Sequence, residues 1–278
     1  MSADQRETRW PSLVDGAPDF QMDLRKKQIK TATAQPKSRA AAKKRENGSP
    51  VKRQRGEVQD LVLSKLRRGL MIGAFVPGQK ITLRRLAEML GTSPMPVRKA
   101  INQLAGLNVL QTLPNRSVAV PRMSADRFRE LTRVRQAVEG LAAELACANS
   151  TPDLVRKLTR TNTDLHRSIK ERNILDCLEL NQEFHFTLYG QSRSSILYPL
   201  IESLWLQAGP ILYLSLSDAN MPWSAGHHDE LLEALKRKQP SAARRAIVRD
   251  IAETTTALLR LPMFSEKGDT LGLFKSIS

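Results

Sequence analysis

What most constrains this chain is one short break. Gly91-Thr92-Ser93-Pro94 stands between two stretches in which apolar residues recur at helical spacing. Glycine closes a helix readily because it takes the left-handed turn at no steric cost. Serine followed by proline opens the next helix. The serine can cap free N–H groups, and proline lacks an N–H that the first turn would leave unpaired. Before the break, Thr82 is a natural cap for a short helix over 83–90 containing Leu86 and Leu90. After it, Val97, Ala100, Ile101, Leu104 and Ala105 mark the inner face of a helix over 94–107.

The flanks complete a motif. Leu61, Leu63, Leu66, Leu70 and Met71 predict a helix beginning near 57 and ending at Gly73 and the Pro77-Gly78 turn. Residues 109–113 read as a strand, 114–116 as a turn and 117–120 as the return strand. Helix, short helix, glycine turn, helix and hairpin is the order of a winged helix-turn-helix over 56–123. The helix after the turn enters the major groove of DNA. Its leading end offers Ser93, Met95 and Arg98, and the preceding helix offers Arg84 and Arg85. Arginine pairs bidentately with guanine, serine holds phosphate, and a methionine can meet a thymine methyl. Arg116, at the wing tip, is placed for the adjacent minor groove.

Charge follows the same division. Residues 1–55 carry 14 Lys and Arg against 6 Asp and Glu, residues 56–123 carry 10 against 3, and residues 124–278 carry 20 against 19. The excess therefore lies in the first 123 residues, as expected of a half that binds a polyanion. Residues 1–55 lack apolar periodicity and read as a basic arm unable to offset its own ordering entropy, either gripping phosphates or serving as a solvated leader. The N-terminus lacks the apolar core of a secretory signal, and no window approaches a membrane span, so the expected location is the cytoplasm. Cys147 and Cys177 are expected as reduced thiols there.

The segment 81–121, ITLRRLAEMLGTSPMPVRKAINQLAGLNVLQTLPNRSVAVP, resembles the GntR family of bacterial transcription regulators. Leu86, Leu90, Gly91, Ser93, Pro96, Val97, Arg98, Ala100, Leu104 and Arg116 fall on the family pattern. Lys99 stands where an acid is usual, Asn108 where glycine is usual, and Ser117 in place of the wing glycine.

Residues 124–262 read as helices throughout, opened by Ser124 and by Thr151-Pro152, with a loose tail over 263–278. Aromatics are only 5% of the chain, which fits a helical core. This half resembles the all-helical FCD-type effector domain of the FadR-type subgroup. The resemblance is carried by Val134-Arg135-x-x-Val138-Glu139, Asn181-x-x-Phe184-His185-x-x-Leu188 and His228-x-x-Leu231-Leu232. It implies a divalent metal held by an acid and a histidine four apart on one helix and by two later histidines. Residues i and i+4 share a helix face. Here the positions fall on Asn181, His185, His228 and Asp250, so an amide replaces the acid and a carboxylate replaces the last histidine. Such a set suits Zn²⁺, Ni²⁺, Mn²⁺ or Fe²⁺. Two other readings stay open. In one, the imidazoles bind an acidic effector directly. In the other, they are satisfied core groups, with His228 capping its helix. His227 reads as a solvated neighbour. Arg135 either clamps an effector carboxylate with His185 and His228 or forms a surface ion pair with Glu139. Trp205 and Tyr213 either line the cavity or pack in the core.

The fold expected is mostly α, an N-terminal winged helix-turn-helix of three helices and a β-hairpin followed by an all-α effector bundle. The function expected is a ligand-responsive regulator, a repressor by family default. It would bind double-stranded DNA at a palindromic operator as a homodimer and answer to a small carboxylate. The alternative is a non-specific binder of nucleic acid or anionic surfaces. An enzyme is not expected, since the sequence shows neither a nucleophile motif nor a phosphate-cradling glycine loop.

Overall fold

Order along the chain follows caps and apolar spacing closely. The computed structural model describes residues 55–114, 117–217 and 224–264. The basic arm up to residue 54, Arg116 and the tail beyond 264 lie outside the described residues. The first unit comprises α1 (Arg55–Met71), β1 (Lys80–Thr82), α2 (Leu83–Met89), α3 (Pro94–Gly106), β2 (Gln111–Leu113) and β3 (Ser117–Ala119). Val62, Leu66 and Leu70 of α1 meet Leu86 of α2 and Val97, Ile101 and Leu104 of α3 in one buried core. Burying each such side chain stabilises by about 1.5–3 kcal/mol.

The caps behave largely as their chemistry dictates. Thr82 Oγ1 accepts from the Arg85 N–H at 3.2 Å. Gly91 takes φ +61° and ends α2, and Asn108 takes φ 56° just beyond α3. Ser93 occupies the N-cap position of α3 with Pro94 next, yet its side chain makes no capping bond. The wing is larger than a hairpin. β1 pairs with β3 through Ile81 and Val118, giving a three-stranded sheet of order β1-β3-β2. Strands of three residues are too short to show alternation, and β1 is squeezed between a Pro-Gly turn and a helix cap.

Among the described residues the second unit comprises α4 (Ala125–Ala148), α5 (Pro152–Lys170), α6 (Ile174–Gly190), α7 (Leu197–Ser217), α8 (Gly226–Lys236) and α9 (Pro240–Leu258), then a 3₁₀ turn at Pro262–Phe264. Ser124 and Thr151 cap α4 and α5 by accepting from Arg127 N and Leu154 N. α4 runs along α9, where Thr132 Oγ1 and Thr255 Oγ1 lie 3.0 Å apart. Both cysteines are free and buried.

The two units touch through α1. Gly209 of α7 lies so near its end that an added Cβ would stand 2.2 Å from Leu70 O. Arg67 pairs with Glu202 of α7, and Arg68 with Glu179 of α6, each at 3.3 Å. Tyr213 packs at this junction rather than in the cavity, its Cβ 2.6 Å from where a Cβ on Gly73 would be.

Candidate DNA-reading face and buried His-Asp centre

The DNA-reading face follows from the amphipathicity of α3. Val97, Ala100, Ile101 and Leu104 are buried. Ser93, Met95 and Arg98 are exposed on the side away from the core, and Met95 keeps 52% of its surface. Arg84 and Arg85 of α2 are exposed as well, Arg84 pairing with Glu88 at 3.1 Å. No acidic residue lies within α3. The face is therefore basic with one apolar contact point, the chemistry needed to approach phosphates and read base edges.

In the helical half, three of the four expected ligands converge. His185 from α6, His228 from α8 and Asp250 from α9 are brought together. His185 Nε2 lies 3.2 Å from His228 Nε2 and 3.4 Å from Asp250 Oδ2, and His228 Nε2 lies 3.8 Å from Asp250 Oδ1. An ion about 2.1 Å from two ligand atoms, subtending a near-tetrahedral angle, holds those atoms roughly 3.4 Å apart. The observed spacings fit that geometry. Asn181, one turn before His185, lines the same cavity.

The surroundings offer each ring a partner at Nδ1. Tyr189 donates its hydroxyl hydrogen to Glu139 Oε2 at 2.7 Å. Burial first, and the Glu139 charge second, push the Tyr189 phenol well above its ordinary range, so it stays a donor. Its oxygen is then an acceptor for His185 Nδ1, 3.0 Å away. On the other ring, His228 Nδ1 lies 3.2 Å from Asn162 Oδ1. That amide is oriented by Asn162 Nδ2 donating to Asp229 Oδ1 at 2.7 Å. A hydrogen at Nδ1 on each ring would be accepted by these oxygens and would leave a bare Nε2 facing inward. Burial lowers the His228 pKa to about 3, so a second hydrogen is not available near neutrality. Burial would raise the Asp250 carboxyl, but a hydrogen bond with His185, then the charges of His228 and His185 when protonated, outweigh it and hold it to about 2. In that tautomer two lone pairs and a carboxylate face one point, a donor set that could hold a divalent cation.

A cavity of about 330 Å³ opens beside these groups, walled also by Arg135 and Trp205. Arg135 is paired with Glu139 through Nε to Oε1 at 2.7 Å. The pair is buried, Arg135 at 5% and Glu139 at 0% exposure, so the surface ion pair expected from sequence is corrected. Trp205 serves both roles foreseen for it. It is buried, donates from Nε1 to Glu139 at 2.9 Å, and lies 5.1 Å beneath the Arg135 guanidinium carbon. His228 does not cap its helix, because Ala225 holds that position. His227 is not merely solvated, since its Nε2 meets Glu253 at 2.7 Å.

Sequence reasoning missed Tyr189, Asn162 and the full role of Glu139. Tyr189 follows His185 by one helical turn, a spacing that could have flagged it. Asn162 lies 66 positions from His228, and nothing local links them.

Two family models match the chain. That of the bacterial regulatory proteins, gntR family, covers residues 59–120, and that of the FCD domain covers residues 130–253. The HTH-type transcriptional regulator McbR of Escherichia coli is 30% identical over 201 residues, spanning 71% of this chain and 90% of that protein. A probable D-xylose utilization operon transcriptional repressor of Paenarthrobacter nicotinovorans is 26% identical over 200 residues, 70% of this chain and 84% of its own. The solved structure of E. coli McbR/YncC aligns with a TM-score of 0.69 and 29% identity, covering 73% of this chain and 97% of that one.

Proposed function

Because this chain belongs to the GntR family, as a DNA-binding transcriptional regulator of the FadR type with an FCD domain, we propose that a small carboxylate bound beside a divalent metal controls how it grips its operator. His185, His228 and Asp250 would hold the ion, with Asn181 as a further oxygen donor. Zn²⁺, Ni²⁺, Mn²⁺ and Fe²⁺ all accept such a mixed set. The ion supplies a Lewis-acidic point toward the cavity at which an anionic oxygen can bind. Arg135, held in place by Glu139 and Trp205, presents its remaining N–H groups as a second anchor for a carboxylate.

The convergence of His185, His228 and Asp250 at the wall of a ligand-sized cavity carries this reading. The route to the DNA-binding unit is short. α6 bears Asn181 and His185 on one face. From the same helix Glu179 pairs with Arg68 of α1, and Gln182 Nε2 lies 3.9 Å from Met71 Sδ. A ligand that binds two placements of α6 with different affinity would shift α1, and with it α2 and α3, by population. Arg84, Arg85, Ser93, Met95, Arg98 and Arg116 are the proposed DNA contacts. Repression at a two-fold-symmetric operator by a homodimer is the proposed mode.

The test has two arms. Selection from random duplexes should return a defined sequence bound at least ~10³-fold above bulk DNA. A thermal-shift screen of small organic acids, with and without added metal, should find stabilisers that need the metal. Binding no better than to random duplex would favour the non-specific polyanion reading. Stabilisation by acids unaffected by chelation would favour a metal-free pocket.

A further inference from the structure

The cavity beside the His-Asp centre is elongated, and its two ends differ. At the inner end stand His185, His228, Arg135 and Trp205, all buried. From there its walls run outward along three helices. On α9 the lining positions step from Asp250 through Thr254 and Ala257 to Arg260, a rise of about 15 Å along the helix. On α7 they pass from Trp205 to Leu212, about two turns further. On α5, Asn162 sits against His228, and Leu165 and Ile169 follow toward the helix end. The middle of the cavity is therefore walled by Leu165, Ile169, Leu212 and Ala257, and Arg260 stands exposed at its outer end.

Charge matching sets Arg260 apart. The other charged groups that line the cavity have protein partners. Arg135 is tied to Glu139, Asp250 faces His185, and Glu253 meets His227. Arg260 has no acidic partner among the described residues. Its backbone N–H donates to Ala257 O at 3.1 Å, which extends the last turn of α9 and fixes where the side chain begins. Its guanidinium is left as a planar fork of donors, the geometry that suits a carboxylate.

From inside outward the cavity offers an anchor for an anion, a stretch of apolar wall and a second anchor for an anion. We propose that its ligand is an elongated dicarboxylate, and that Arg260 selects it over a monocarboxylate of the same length. This rests on the functional reading above, which puts the first carboxylate at Arg135 and the His-Asp centre. A short acid held there would leave Leu165, Ile169 and Leu212 facing water, and covering such apolar surface is what favours a longer body. A long monoacid covers the wall but ends in a methyl group beside the Arg260 guanidinium. A diacid covers the same wall and ends in the charge that Arg260 lacks.

The experiment is isothermal titration of the full chain, with and without added Zn²⁺, using two matched series. Adipate, suberate and sebacate are set against hexanoate, octanoate and decanoate. In wild type at least one diacid should bind more tightly than its monoacid counterpart by about fivefold, as much as one exposed ion pair supplies. Arg260→Gln, an exposed substitution that leaves the core untouched, should remove that advantage while the monoacids bind as in wild type. Arg260→Glu should reverse it. Diacids no better than monoacids at every length, or an advantage that survives Arg260→Gln, would overturn the proposal and leave Arg260 as a cation favoured only by the C-terminus of α9. Metal-dependent binding of the monoacids would in that case still uphold the functional reading. Failure of every acid to bind, with Zn²⁺ and without, would overturn both.

Discussion

His185 and His228 face one another through Nε2 atoms 3.2 Å apart, with both Nδ1 atoms turned to other partners. Imidazoles so placed, with their hydrogens at Nδ1, would present lone pair to lone pair, an arrangement that a cation between them stabilises. One equivalent of Zn²⁺ or Ni²⁺ should therefore bind the chelator-treated protein. At a metal concentration 100-fold above the dissociation constant, stability should rise by about 2.7 kcal/mol. His185→Ala or Asp250→Ala should remove that gain. Isothermal titration paired with thermal melting measures both, and equal melting with and without metal would count against the site.

Tyr189 touches no expected ligand atom facing the cavity, yet its oxygen lies 3.0 Å from His185 Nδ1 and would hold a hydrogen there. Tyr189→Phe should leave the fold intact and weaken metal binding about 10- to 100-fold, the usual effect of removing a hydrogen bond behind a ligand. An unchanged dissociation constant would show that ring packing alone orients His185.

Glu139 takes bonds from Arg135, Tyr189 and Trp205 with no exposure of its own. Glu139→Ala strands the Arg135 charge inside the bundle. Urea unfolding should show a loss of about 3–5 kcal/mol. A loss below about 1 kcal/mol, the range of exposed ion pairs, would mean the pair is effectively solvated.

Acid should loosen the centre. An unfolded His228 takes up a proton near 6.5, whereas burial in the folded chain postpones uptake to about 3. Between those values the unfolded state binds the extra proton, so stability present above 6.5 declines as the pH falls toward 3. The slope contributed by this one group is at most about 1.4 kcal/mol per pH unit. Melting of chelated wild type and His228→Gln between pH 7.5 and 5 should show the steeper fall in wild type, and parallel curves would contradict the assignment.

On α3, Arg98→Ala should cost roughly 1–3 kcal/mol in binding to the selected duplex and relax the preference at one base pair, without altering the melting of the protein. A uniform loss across all sequences would make Arg98 a phosphate contact instead.

Much of this was legible in the chain because it is local. Gly91, Ser93-Pro94, Thr82, Ser124 and Thr151 act within a few residues, and they placed the helix ends. His185 and Asn181 share a face by spacing alone. What escaped depends on tertiary approach. β1 is too short for alternation to show. The burial of Arg135 with Glu139 required α7 to bring Trp205 over them, where sequence spacing offered only an i, i+4 pair with no sign of depth. Asn162 became the partner of His228 only through the packing of α5 on α8.

The central claim is that the buried His-Asp centre governs DNA affinity. It is tested most directly by fluorescence anisotropy on the selected duplex, comparing chelated with metal- and acid-loaded protein at fixed salt. The dissociation constant should change by about 5- to 150-fold for wild type, the usual range of coupling between sites. It should not change for the His185→Ala, His228→Ala double variant. Identical affinity of wild type in all ligation states, with metal binding independently verified, would contradict it.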